Sequence, residues 1–171
     1  MQPIAIRLGA LLAESLEAFA EAPMLVIPVP MHPGKHRARG FNHAELIARA
    51  AMAEMRRRHP QWVLRLQTGL LKRVRMTVSQ AGLTTHQRRQ NLRGAFFAPH
   101  PTRLAGRDIL LVDDIYTTGA TARACSRVLK NAGARSVKVA TVARAQREGV
   151  AVWDTGFLRS ISAEQGSELR G

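Results

Sequence analysis

Cysteine is nearly missing from this chain. Among 171 residues there is one, Cys125, so neither a disulfide framework nor a CxxC zinc knuckle can be built from it. Such thiol usage fits a reducing compartment. Aromatic residues are scarce too, at 5%, which leaves few platforms on which nucleic-acid bases could stack. No apolar run approaches the ~20 residues of a membrane span. The N-terminal stretch has no basic n-region, and Glu14 and Glu17 interrupt its apolar residues, unlike a secretory leader. A soluble, cytoplasmic protein is the expectation. The last shortage is of acids: 12 Asp plus Glu face 26 Lys plus Arg, a formal net charge of +14. With a pI near 11.7, the chain should favour polyanionic partners: nucleic acid, phosphorylated metabolites or an anionic membrane surface.

What is present suits one globular domain. Hydrophobic residues at 46% and charged residues at 22% are ordinary values, and this length can bury a continuous core unaided. Residues 3–20 read as an amphipathic helix with Ile4, Leu8, Leu11, Leu12, Leu16 and Phe19 on one face. The apolar run 24–30, closed by two prolines, suits a buried strand that delivers the basic loop 31–40. A helix comes next, with Asn42 as N-cap, Glu45 completing a capping box and Phe41 with Leu46 as a hydrophobic staple. Its buried face should be Leu46, Ile47, Ala50, Ala51 and Met55, ending near His59 and Pro60. Short strands are expected at 62–66, 70–73 and 95–97, a polar loop at 77–85, a short basic helix from Thr84 or Thr85 through Asn91, and a turn region at 99–107. The continuous aliphatic run 109–112 reads as a parallel strand buried on both faces. A helix over 118–132, stopped by Gly133, and a strand over 136–142 complete a right-handed βαβ unit. The expected class is α/β, a mainly parallel sheet flanked by helices. Residues 1–145 form its single domain, and 146–171 form an extension with a strand near 150–158 and a frayed tail.

The chemistry concentrates in residues 109–121, I-L-L-V-D-D-I-Y-T-T-G-A-T. Ligands of open parallel sheets gather at the carboxyl ends of strands, where Asp113 and Asp114 would sit. Paired carboxylates accept hydrogen bonds from adjacent hydroxyls, as a ribose presents them. Thr117, Thr118, Gly119, Ala120 and Thr121 come immediately after. Their hydroxyls and backbone N–H groups, at a helix start, form an anion cradle, and Gly119 lets the backbone approach a phosphate without a Cβ. The plainer reading is that the acids cap a helix and the threonines close a turn. The compound pattern is more specific than either. No G-x-x-x-x-G-K-[ST] and no G-x-G-x-x-G after a strand competes with it.

This segment resembles the phosphoribosyl diphosphate (PRPP) signature of type I phosphoribosyltransferases. V-I-P-V-P-M-H-P with R-A-R-G-F-N, V-R-M-T-V-S-Q-A-G-L and R-R-Q-N-L-R-G-A-F resemble one branch of them, the ComF/GntX-like family associated with DNA uptake and competence. The resemblance runs over about residues 24–144. It implies a type I phosphoribosyltransferase-like fold, Asp113 and Asp114 on the ribose hydroxyls, residues 117–121 on the 5′-phosphate, and Mg²⁺ arriving with PRPP. Two departures stand out. Such proteins often carry an N-terminal four-cysteine zinc module, for which this chain has no cysteines: either the form is naturally short or its start has been trimmed. Relatives that salvage 6-oxopurines place an acid where Thr117 stands, so hypoxanthine or guanine salvage is not expected.

The resemblance also places a diphosphate contact in the loop of Lys35, Arg37 and Arg39, which reads equally as a solvated basic loop. Lys72, Arg73 and Arg75 precede a stretch, 77–80, that resembles the flexible loop closing over PRPP; an exposed hairpin is the alternative. Arg56, Arg57 and Arg58 read as a solvated helix face, and Arg88, Arg89 and Arg93 as the same or as an extension of a basic face. His32 and His36 are four apart, but Pro33 and Gly34 disfavour a helical pair, so no metal site from cysteine or histidine is expected. Cys125 falls on a buried stripe as a small core residue. Tyr116 is left open between stacking on a base and lying against the loop. Two functions are consistent with these residues: a Mg²⁺-dependent transferase (a glycosyltransferase of nucleotide metabolism) moving phosphoribosyl to a nitrogen nucleophile, or a non-enzymatic PRPP-binding or competence module that binds single-stranded DNA. Competence proteins and a second copy in a homodimer are the other expected partners.

Overall fold

The computed structural model describes residues 2–17, 23–75, 87, 92–116, 118–144 and 151–154. In chain order they form α1 (Gln2–Glu17), β1 (Met24–Pro28), α2 (Pro33–Arg39), α3 (His43–Arg58), β2 (Leu64–Leu66), β3 (Lys72–Arg73), β4 (Phe96–Phe97), β5 (Asp108–Tyr116), α4 (Ala120–Asn131), β6 (Ser136–Arg144) and β7 (Ala151–Asp154). Five strands make one sheet in the order β2-β1-β5-β6-β7. The first four are mutually parallel, and β7 runs antiparallel along β6. The expected α/β architecture is therefore present. β7 carries the sheet past residue 145, and the tail beyond residue 154 lies outside the described residues.

Both faces of the central strands are buried, which is why they read as unbroken aliphatic runs. Strand periodicity divides them. Ile109, Leu111, Val137 and Val139 face a core shared with Cys125 and Leu129 of α4 and with Phe96 of the β3–β4 hairpin. Leu110, Val112, Ala140 and Val142 face the other core, formed with Leu12 and Leu16 of α1 and Ile47, Ala51 and Met55 of α3. Each Val, Leu, Ile, Met or Phe among them contributes about 1.5–3 kcal/mol by leaving water.

Four local expectations change. The loop after β1 holds a short helix, α2. Pro33 does not break it because it occupies the first turn, where its missing N–H has no partner to lose. His32 caps that helix, its Nδ1 accepting from Gly34 N–H at 3.1 Å. Asn42 caps α3 as expected, Oδ1 accepting from Ala44 N–H at 3.1 Å. Glu45, however, completes no box: its carboxylate pairs with Arg49 one turn on, at 2.7 Å. On α1, Leu11 is exposed, while Ala13 joins Leu12 and Leu16 in the core. The reason is close approach. A Cβ at Gly9 would lie 2.4 Å from Ala50 Cβ and 2.8 Å from Ala51 N, so small residues select the stripe that meets α3. On α3 itself, Ala44, Ala48 and Met52 are buried with Ile47, Ala51 and Met55, leaving Leu46 and Ala50 half-exposed.

Candidate functional site

β1 and β5 are parallel neighbours with Pro28 opposite Val112, so the segments leaving the two strands emerge at the same end of the sheet. After β1 comes α2, whose Lys35, Arg37 and Arg39 are all exposed. β5 runs four residues beyond the aliphatic segment, through Tyr116, so Asp113 and Asp114 lie within the last part of the strand rather than after it. The Asn42 side chain donates to Val29 O at 3.0 Å while capping α3, and Val29 N–H donates to Val112 O at 2.8 Å. These bonds fix the exit of β1 beside β5.

Consecutive strand residues point to opposite faces. Asp113 continues the face of Ile109 and Leu111, toward α4, and Asp114 takes the other. Asp113 is buried at 9% exposure; Asp114 is half-buried. The pair is braced by backbone: Asp113 Oδ1 accepts from Asp114 N–H at 3.0 Å, and Asp114 Oδ1 from Ile115 N–H at 2.8 Å. Burial first, and then the neighbouring Asp114 charge, push the Asp113 carboxyl up to about 8, with the Arg73 charge opposing. Arg73 comes from β3. Its guanidinium lies 5.4 Å over the Phe96 ring, and burial lowers its own pKa. Thr141 sits opposite Asp113 in the β5–β6 register, almost fully buried, with an Oγ1 that has no hydrogen-bond partner among the described residues.

The turn into α4 is made by a glycine at the helix start. Gly119 is the N-cap with φ 66° and ψ 11°, a left-handed conformation that a glycine adopts without Cβ strain. Gly119 itself has no side chain to cap this end, and the N–H groups of the first turn point toward the helix N-terminus. Thr118 Oγ1 is buried without a partner among the described residues. Thr121 is half-buried in the first turn. Thr117 lies outside the described residues, as does the side chain of Tyr116.

The structure thus brings together Asp113, Asp114, Thr118, Gly119, Ala120 and Thr121, with the α2 cations at the same end of the sheet. Of the other basic candidates among the described residues, Arg73 reaches Asp113 electrostatically. Lys72 is exposed, and Arg75 donates to Arg93 O at 2.9 Å. The stretch 76–86, including the loop at 77–80, lies outside the described residues, as do Arg88 and Arg89; Gln87 alone there is described, and it is helical. Cys125 is fully buried, and burial together with the Asp113 charge raises its thiol pKa, so it is an inert packing group. Among the described residues no cluster of three or more His, Cys, Asp or Glu could hold a metal ion. Nor is any helix there long and apolar enough to cross a membrane. Sequence reasoning missed Arg73 with Phe96 and Thr141 as the surroundings of Asp113. The alternation of faces was legible from strand period alone, whereas these neighbours come from distant segments.

Comparison with known proteins adds a family. The profile of the phosphoribosyl transferase domain matches residues 65–169. Competence protein F of Haemophilus influenzae is 34% identical over 125 residues, covering 72% of this chain and 51% of that protein. The DNA utilization protein YhgH of Escherichia coli O157:H7 is 33% identical over 119 residues, covering 70% of this chain and 48% of that one. The chain spans about half the length of these relatives. Among solved structures, a hypoxanthine phosphoribosyltransferase from Staphylococcus aureus superposes with a TM-score of 0.52 at 12% identity, over 86% of this chain and 67% of that one. That likeness speaks for the fold alone.

Proposed function

The chain belongs to the phosphoribosyl transferase domain family, in its ComF-like branch, and from that premise we propose that it binds PRPP at the carboxyl end of β5. The observation that carries this reading is the junction itself: two acids lie in the last part of a parallel strand, and a left-handed glycine opens the next helix a few residues later. In this reading Asp114, half-buried, accepts from the ribose hydroxyls. Asp113, held toward its neutral form, donates to or accepts from the same diol. Thr117, Thr118, Gly119, Ala120 and Thr121 surround the 5′-phosphate, and the cations of α2 stand near the diphosphate. Mg²⁺ would arrive with PRPP as part of the substrate and would neutralise charge on the diphosphate.

The reaction proposed is transfer to a nitrogen nucleophile. The nitrogen lone pair forms a bond to C1, the bond from C1 to the diphosphate oxygen breaks, and diphosphate departs with that electron pair. The nitrogen's proton passes to solvent. What the chain supplies is position and electrostatic stabilisation of the leaving group; no side chain is assigned as general base. Calorimetry with Mg–PRPP tests the site. Asp114→Asn should weaken binding at least tenfold, Asp113→Asn should weaken it less, and the double variant should abolish it while the thermal melt persists. Unchanged affinity in a folded double variant would refute the assignment. Diphosphate release across a panel of bases and amines then separates an enzyme from a binding module.

A second reading is favoured by the net charge of +14: a cytoplasmic competence module that handles single-stranded DNA, alone, as a homodimer or with other competence proteins. Its binding should fall steeply with salt, about 0.7 decade per decade of salt for each phosphate contacted. A flat salt response in fluorescence anisotropy would dismiss it.

A further inference from the structure

The opposite end of the sheet carries a second basic site. A cavity of about 560 Å³ opens at the amino ends of β1, β2 and β5, lined by Arg65, Gln67, Leu70, Arg103, Arg107 and Asp108 among others. Its volume lies within the ~300–1,000 Å³ range of small-molecule sites. Arg65 stands on β2 opposite Leu25 of β1, and Asp108 opens β5 opposite Met24. Residues 101–107 then fold across this edge. Gly106, at φ 69°, makes the turn, and its N–H donates to Gly133 O at 2.9 Å, which sets Arg107 at the rim.

Three arginines therefore line one cavity. Arg103 is oriented by a 2.9 Å hydrogen bond to Gln67 Oε1. Among the described residues no carboxylate pairs with Arg65, Arg103 or Arg107. Among the described residues the one acid in the lining is already occupied. Asp108 Oδ1 accepts from Arg135 Nε at 2.8 Å and from Ser136 Oγ at 2.7 Å, and its other oxygen takes a second Arg135 nitrogen. Its charge is spent within the fold and does not oppose an incoming anion. Guanidinium forks match phosphate oxygens two at a time. Met24, Leu25 and Leu70 make part of the lining apolar, and among the described residues no aromatic ring lines it, so these residues offer no stacking platform for a nucleic-acid strand.

We propose that this cavity is a second ligand site, distinct from the strand-end cradle, that binds a small phosphorylated molecule through Arg65, Arg103 and Arg107. The site does not depend on the PRPP reading, since it uses none of the same residues and lies at the other end of the sheet. It gives the chain's excess of positive charge a local purpose.

The test is calorimetry on the full chain with adenosine 5′-monophosphate and inorganic phosphate as probes, with and without saturating Mg–PRPP. The expected result is adenosine monophosphate binding that persists under Mg–PRPP and weakens at least tenfold in Arg65→Ala, Arg103→Ala, Arg107→Ala combined. Each single variant should weaken it less, and Arg107→Lys should recover only part. The single variants change one side chain each, so they keep the test informative if the triple variant fails to fold. Binding that Mg–PRPP displaces, or that ignores the arginines, would place the probe in the cradle and overturn the proposal. Failure of either probe to bind overturns it as well. A twelve-nucleotide oligothymidylate that binds through these arginines when the mononucleotide does not would assign the surface to a strand instead. Loss of PRPP binding in the Asp113→Asn, Asp114→Asn variant leaves this outcome untouched, so the two readings fail separately.

Discussion

Two adjacent carboxyl groups in one strand meet different solvents, and their chemistry diverges accordingly. Asp113 faces α4, Arg73 and Thr141, and burial pushes it from 3.8 up to about 8. Because the folded chain holds that proton more tightly than the unfolded chain, folding is favoured most below the ordinary carboxyl range. That contribution declines as pH rises toward the folded value. Asparagine mimics the neutral acid and cannot ionise. Relative to the parent, Asp113→Asn should therefore gain more than about 1 kcal/mol of stability between about pH 5 and about pH 8. Urea melts of both chains across that interval check this. Parallel pH profiles would mean that Asp113 ionises freely and that the burial argument fails. The same logic explains the inequality expected for PRPP. Replacing a neutral acid by its amide changes little, whereas Asp114→Asn replaces the less buried carboxyl of the pair, the one within easier reach of a ligand. The pair was legible in the sequence as an acidic strand end, and strand period alone separates its faces. The raised pKa of Asp113 was not legible, because the burial that causes it comes from segments distant in sequence, β3, β4 and β6 among them.

At the scale of elements, signals that depend on near neighbours were readable and those that depend on close approach were not. The run Ile109–Val112 could only be a buried strand, and Asn42 could only be a cap. Both conclusions rest on residues a few positions apart. α1 is the contrary case. Hydrophobic pattern weights Leu11 heavily and gives Gly9 no weight, yet Leu11 is 49% exposed and Gly9 is the contact. Its missing Cβ lets the backbone of α3 approach at Ala50 and Ala51. Gly9→Ala is helix-favouring by about 1 kcal/mol in isolation. Here it should nonetheless destabilise the chain by about 1–3 kcal/mol, because backbone atoms of α3 must move to admit the methyl. A lowered thermal midpoint with unchanged PRPP affinity is the expected outcome, since α1 packs on the sheet face away from α4. A raised midpoint would show that the helices slide apart without cost. Likewise α2 was hidden because Pro33 reads as a breaker unless its place in the first turn is known.

For the whole molecule, the question is what closes the sheet at its β6 side. β6 carries Val137, Val139, Ala140 and Val142 in both cores, yet it lies next to the edge. Ala151–Asp154 covers it, pairing antiparallel with Lys138–Thr141. An unpaired β6 would present a row of backbone N–H and C=O groups along an apolar strand, the arrangement that invites edge-to-edge pairing. Thr141, opposite Asp113 on one side, is opposite Ala151 on the other, so the last strand also steadies the register beside the candidate site. Ending the chain at Arg144 should therefore do two things at once. Sedimentation should show concentration-dependent association through the bared edge, and calorimetry should show weaker Mg–PRPP binding even at concentrations where the truncated chain is monomeric. Cutting instead after Asp154 should do neither. If the chain ended at Arg144 stays monomeric and binds as the parent does, β7 is an ornament on a sheet that is complete without it. If the two effects separate, edge protection and support of the site are different duties of the same four residues.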